Sequence, residues 1–277
     1  MAPSPDKSFS GLRTPAALNT ASSVRLLDWV LAAWEDDANQ RYDLADAIDT
    51  LRSDSSQRGT LKTLASVRAG KTPHNVQVSP DGRFAWVTNN GESGPAANAA
   101  AHQGMAADAH QSMAQAGGVW IIDTSTDTVA ARVAVGKHPA HVVLTPDGRQ
   151  AYVTNGGDNT VSVIDTSARK VVATIPVGQY PHGLRPSPDG KEMYVANLKA
   201  GTVSVIDTAS QKEVAQVPAG KGPAQTGFTP NGRWGFVSLS QEDAVALIDP
   251  STRKVVRKIA VGTVPIQLYA TADSRRS

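Results

Sequence analysis

Six histidines and no cysteine stand in this chain, so metal binding or nucleophilic chemistry falls to imidazole, thioether, hydroxyl and carboxylate groups. Two groups of histidines invite attention. One follows the prolines that open successive internal repeats: Pro73-His74, His138-Pro139-Ala140-His141 and Pro181-His182. His74 and His182 occupy the same repeat position, where the later copies carry Ala224 and Ile266. Such imidazoles either hydrogen-bond to turn backbone or offer a lone pair to a ligand. The second group lies in the alanine-rich stretch from Gly91 to Gly118. On a helix His102, Met105, His110 and Met113 fall within an arc of about 140°. Imidazole with thioether suits copper, particularly Cu(I), and makes copper the expected metal there, with Asp108 on the other side. Gly104 weakens that helix, and methionine in such a stretch also simply packs against a neighbour.

Other chemistries lack their signatures. The chain has no Gly-x-Ser-x-Gly elbow, phosphate-cradling glycine loop, His-Glu-x-x-His or Cys-x-x-Cys-His. The expected class is therefore a binding or scaffold module that is not an enzyme. A net charge of +2 without a long basic run argues against nucleic acid as a partner. The densest apolar stretch, Leu26 to Trp34, is short and interrupted by Asp28, so no membrane span is expected. The first twenty residues lack a basic start followed by an apolar run, so no secretory signal is seen, and the lack of cysteine fits either redox compartment.

What must hold these side chains is a tandem repeat. Gly136, Gly178, Gly220 and Gly262 recur every 42 residues, and Asp123, Asp165, Asp207 and Asp249 keep the same interval. An upstream copy begins at Gly70, 66 residues before Gly136, and so carries a 24-residue insertion. Each unit contains four short β-prone runs separated by turns. Pro-Asp-Gly at 80–82, 146–148 and 188–190, and Pro-Asn-Gly at 230–232, supply the left-handed residue of a tight hairpin. The pattern predicts an all-β chain of four-stranded antiparallel propeller blades, each burying its faces against its neighbours. The recurring aspartates end the third strands and are expected to cap turns, since four copies argue for architecture over catalysis.

Tyr152-Val153-Thr154-Asn155 with Ser162-Val163-Ile164-Asp165 resembles the YVTN family of β-propeller repeats, over about residues 61 to 273. The motif recurs as WVTN at 86–89, YVAN at 194–197 and FVSL at 236–239, where Leu239 replaces the asparagine. That family is similar to the propellers of cytochrome cd-type nitrite reductases and of lactonase-like enzymes. The resemblance implies a ring of seven or eight blades, often in exported, periplasmic or extracellular bacterial proteins. It also implies that His74, His138, His141 and His182 lie near the mouth of the central channel, where propellers bind small ligands. A partial lactonase-like hydrolase or a nitrite-reductase-type oxidoreductase is the alternative to a binding module.

About four complete blades are expected over residues 60–277, flanked by a last-strand match at Leu61–Arg68 and a first-strand match at Val264–Thr271. An open arc leaves blade faces exposed, so self-association or a protein partner is expected, or the chain is a fragment of a larger propeller. Residues 1–59 read as a separate module, with six basic and nine acidic residues. A polar tail precedes an amphipathic helix capped by Ser22 or Ser23, with an apolar stripe from Val24 through Leu27, Leu31 and Trp34 to Ile48.

Overall fold

The computed structural model describes residues 66–67, 69–70, 72–90 and 117–268. These residues form sixteen strands and no helix. The first sheet contains β1 (Pro73–Val78), β2 (Phe84–Asn89), β3 (Gly118–Asp123) and β4 (Thr128–Ala134). The second contains β5 (Pro139–Leu144), β6 (Gln150–Asn155), β7 (Thr160–Asp165) and β8 (Lys170–Pro176). The third contains β9 (Pro181–Pro186), β10 (Glu192–Asn197), β11 (Thr202–Asp207) and β12 (Lys212–Pro218). The fourth contains β13 (Pro223–Phe228), β14 (Gly235–Leu239), β15 (Ala244–Asp249) and β16 (Lys254–Ala260). Each sheet is an antiparallel meander in chain order, as the 42-residue repeat predicts.

Alternation along the middle strands explains why the sheets stack. Ala151 and Val153 pack with Trp86, Val119 and Ile121 of the first sheet, whereas Tyr152 between them packs with Leu184, Met193 and Val195 of the third. Successive side chains point to opposite faces, so each sheet contributes to two cores. A buried Leu, Ile or Val contributes roughly 1.5–3 kcal/mol, and that stabilisation exists only while a neighbouring sheet covers it. The inner strands β1, β5, β9 and β13 lie against one another in sequence, and the outer strands touch more sparsely. That is the splay of propeller blades.

The last blade shows what an uncovered face looks like. Val133, Ile175 and Val217 are 5%, 3% and 1% exposed, but Ile259 at the same repeat position is 41% exposed. The first-strand match at Val264–Thr271 is corrected in part: residues 265–268 lie beside β13 without forming a ladder. Ser238 Oγ donates to the Ile266 carbonyl and Gln225 Nε2 to Gln267 Oε1, so side-chain hydrogen bonds tether this segment. The last-strand match at Leu61–Arg68 is described only at residues 66 and 67, which join no strand. The helix expected within residues 1–59 and the insertion with His102, Met105, His110 and Met113 lie outside the described residues; Gly118 itself opens β3. Among the described residues no helix is long and apolar enough to cross a membrane.

Turn chemistry follows the sequence closely. Gly82, Gly148, Gly190 and Gly232 adopt φ of 72°, 68°, 70° and 70°, the left-handed region that a Cβ disfavours. Asp123, Asp165, Asp207 and Asp249 each end a third strand, and each carboxylate accepts from a serine hydroxyl two or three residues on. Backbone N–H groups of the same turns donate to these oxygens at 2.7–2.9 Å. These bonds stabilise the carboxylate anion and hold all four aspartates below the ordinary carboxylate range.

Candidate functional site

The opposite ends of the blades, where the chain arrives from the preceding blade, carry the histidines. His74 and His182 are the second residues of β1 and β9, and His141 is the third of β5. Strict alternation would point a third residue away from a second. The first ladder of every blade, however, slips near its linker end, between Pro139 and Val142 in β5, so strict alternation does not hold here. His74, His141 and His182 meet, with ring centroids 5.4, 5.3 and 4.8 Å apart. One nitrogen from each ring lies within 4.8 Å of the others.

Hydrogen bonds to the next blade orient two of the rings. His74 Nδ1 lies 3.0 Å from the Ala140 carbonyl, and His182 Nδ1 lies 3.0 Å from the Ala224 carbonyl. A carbonyl oxygen only accepts, so each Nδ1 carries the proton, and in the neutral ring Nε2 keeps its lone pair. The approach of β9 to β13 that permits the second bond depends on Gly183, where a Cβ would stand 1.9 Å from Gln225 Oε1.

The backbone beneath the rings is fixed by the threonines of the repeated motif. Thr88 Oγ1 donates to the Ala140 carbonyl at 2.7 Å, and Thr154 Oγ1 donates to the His182 carbonyl at 2.6 Å. Thr154 also accepts from the His141 N–H at 3.0 Å. Next to each threonine, the motif asparagine closes its own blade: Asn155 Nδ2 donates to Thr160 and Ser162, while its Oδ1 accepts from the Gly136 N–H. These threonines were not singled out in the sequence, although their recurrence at 88, 154 and, as serine, 238 carried the signal.

His141 is 3% exposed, and its Nε2 is buried without a hydrogen-bond partner. Leaving a buried polar atom unsatisfied costs about 1–3 kcal/mol, so such an atom is informative. Burial holds the His141 imidazole well below its ordinary pKa, and positive charge on His182, His74 or Arg185 would push it further down. Burial also lowers His182, against the opposing effect of the Ala224 carbonyl. Both rings are therefore neutral at pH 7, with lone pairs free of protons.

His138 does not join them. It lies exposed in the linker with φ of 50°, a left-handed position shared by Tyr180, Gly222 and Val264. Its carbonyl accepts from the Gly156 N–H at 2.9 Å, so its conformation serves the linker. Of the four imidazoles expected at the mouth, three converge.

Residues 112–226 match the family described as Cytochrome D1 heme domain. Among solved structures, the hydrazine synthase of Kuenenia stuttgartiensis matches with a TM-score of 0.58 and 26% identity over 73% of this chain. The chain spans about half of that structure's length, 53%. A functionally unknown protein from Desulfotomaculum acetoxidans DSM 771 shares the fold with a TM-score of 0.55 at 14% identity, covering 74% of this chain and 62% of that one. No curated protein matches the chain.

The family's printed description names haem, but the convergent imidazoles do not fit one. A haem supplies four equatorial nitrogens of its own and takes one or two axial ligands. Three rings with centroids 4.8–5.4 Å apart direct several nitrogens to one place, more donors than the axial positions of a haem take. The described residues are four-stranded blades of a β-propeller, similar over residues 112–226 to the Cytochrome D1 heme domain family.

Proposed function

We propose that this chain is a propeller binding module, without catalysis of its own, whose small-ligand site is the imidazole cluster at the linker ends of the inner strands. The observation that carries this reading is the buried, unpartnered Nε2 of His141 between His74 and His182. Two of the three rings are oriented by backbone carbonyls and the third is buried between them, an arrangement that gathers imidazole nitrogens at one place. Among the described residues the group contains no carboxylate to act as general base or acid. The uncovered face around Ile259 supports a scaffold role, since a binding module can present such a face to a protein partner.

The family resemblance favours a second reading, an oxidoreductase propeller of the nitrite-reductase type, and the same experiment separates the two. The purified chain is offered haem, then assayed for nitrite reduction with a reduced viologen dye and for hydrolysis of a simple lactone. A binding module leaves both rates at the buffer background and leaves the haem absorption spectrum unshifted. Turnover of either substrate that disappears in His182→Ala would overturn the reading.

A further inference from the structure

We infer that His74, His141 and His182 form a three-imidazole site for a single tetrahedral divalent ion of the zinc class, with a fourth position left for water or a small anion. The inference rests on the binding-module reading and names the ligand of that site.

Geometry comes first. In a tetrahedral centre with metal–nitrogen bonds of about 2.0–2.1 Å, neighbouring donor nitrogens lie about 3.3 Å apart. Here one nitrogen from each ring already lies within 4.8 Å of the others. Binding requires the three nitrogens to draw together from that spacing.

Proton placement agrees with the geometry. The carbonyls of Ala140 and Ala224 take the Nδ1 protons of His74 and His182, so Nε2 is the nitrogen of each neutral ring that bears a lone pair. Metal-bound histidines are typically held this way, with the distal nitrogen bonded to a carbonyl or carboxylate that fixes the tautomer. His141 supplies the independent observation, a nitrogen buried without any partner in the protein. A metal ion satisfies that nitrogen, and water-sized alternatives must find several polar partners in the same space.

Donor chemistry selects the ion. Three neutral nitrogens exclude calcium and magnesium, which require oxygen. Three imidazoles with one open position are a donor set of tetrahedral zinc and cobalt(II), whereas copper(II) prefers tetragonal positions. Because the three ligands carry no charge, the bound ion keeps both of its positive charges and attracts an anion to its open position.

The test uses the full chain, stripped of metal by chelation and dialysis. Zinc is titrated in competition with a chromophoric chelator, and cobalt(II) is followed through its visible absorption. The expected result is one ion per chain and the intense visible bands of tetrahedral cobalt. His74→Ala, His141→Ala and His182→Ala each weaken binding by roughly 100-fold or more, whereas His138→Ala changes it by less than about twofold. A His102→Ala, His110→Ala double variant binds as the parent does.

Near-UV circular dichroism checks the fold of each variant, and His141→Asn replaces His141→Ala if the latter unfolds. Absence of zinc competition and of cobalt bands overturns the inference. So does binding that survives loss of His141, or that is lost only in the 102/110 double variant. Failure to bind metal without any turnover of nitrite or lactone removes the ion and leaves the binding module standing. Turnover removes the module itself.

Discussion

The two ends of the blades solve different problems. At the end bearing the Asp-Gly hairpins, the same arrangement recurs in every blade: a left-handed glycine between the first two strands and an aspartate–serine cap after the third. At the linker end a repeated frame of motif threonines and asparagines carries side chains that do not repeat. His74, the Ala140–His141 pair and His182 stand where the fourth blade has Ala224 and Gln225. Repetition marks what every blade needs in order to fold. Departure from it, on an otherwise periodic frame, marks what the fold itself does not require.

Removing a frame residue at the linker end should produce the largest effect. Asn155→Ala leaves the Gly136 N–H, Thr160 and Ser162 without their shared partner. A loss of about 2–4 kcal/mol is expected in denaturant unfolding, since several buried polar groups lose their bonds together. The fourth blade already carries Leu239 at this position, so Leu239→Asn should bring no comparable gain, because it inserts a polar group into an apolar cluster. Equal and opposite effects would break the distinction between a frame built around asparagine and one built around leucine.

Mild acid should separate the two ends. His141 and His182 are held neutral, so their folded pKa values lie below the unfolded value near 6.5. The unfolded chain then binds more protons, and stability falls as pH drops below about 6.5 until the folded rings themselves protonate. For the metal-free protein the cost is at most about 1.4 kcal/mol per pH unit for each ring kept neutral. The charges facing His141 are His74, His182 and Arg185. A His141→Asn, His182→Asn variant should lose less stability between pH 6.5 and 5 in thermal melts. An unchanged slope would detach these rings from the acid response.

The turn aspartates respond elsewhere and more weakly. Their folded pKa values are depressed, so their contribution is present above the unfolded value near 3.9 and is lost as pH falls through the folded one. Asp207→Ala should shift the melting temperature less than Asn155→Ala and should leave the pH 5–6.5 region untouched. Any effect in that region would mean that the two ends are coupled.

Much of this contrast is visible in the sequence because it is periodic. The interval of 42 residues, the Pro-Asp-Gly hairpins and the third-strand aspartates all correspond to observed turns and strands. His74 and His182 share one repeat position, so their kinship was legible. The sequence could not say which member of the 138–141 pair reaches them. The ladder slip recurs in every blade and the left-handed linker residue at His138, Tyr180 and Gly222, so neither decides it; the choice depends on how the inner strands of three blades pack against one another. The orphaned His141 nitrogen is likewise a product of three strands meeting. The expected strand at Val264–Thr271 looked right by pattern, but pattern alone does not provide the ladder that makes a strand.

Diffraction at the zinc absorption edge, from crystals of the full chain grown with zinc, tests the central claim most directly. The account predicts one anomalous peak at the linker ends of β1, β5 and β9, about 2.0–2.1 Å from a nitrogen of His74, His141 and His182. A peak bound elsewhere, or three rings turned away from one another with no ion between them, would contradict it.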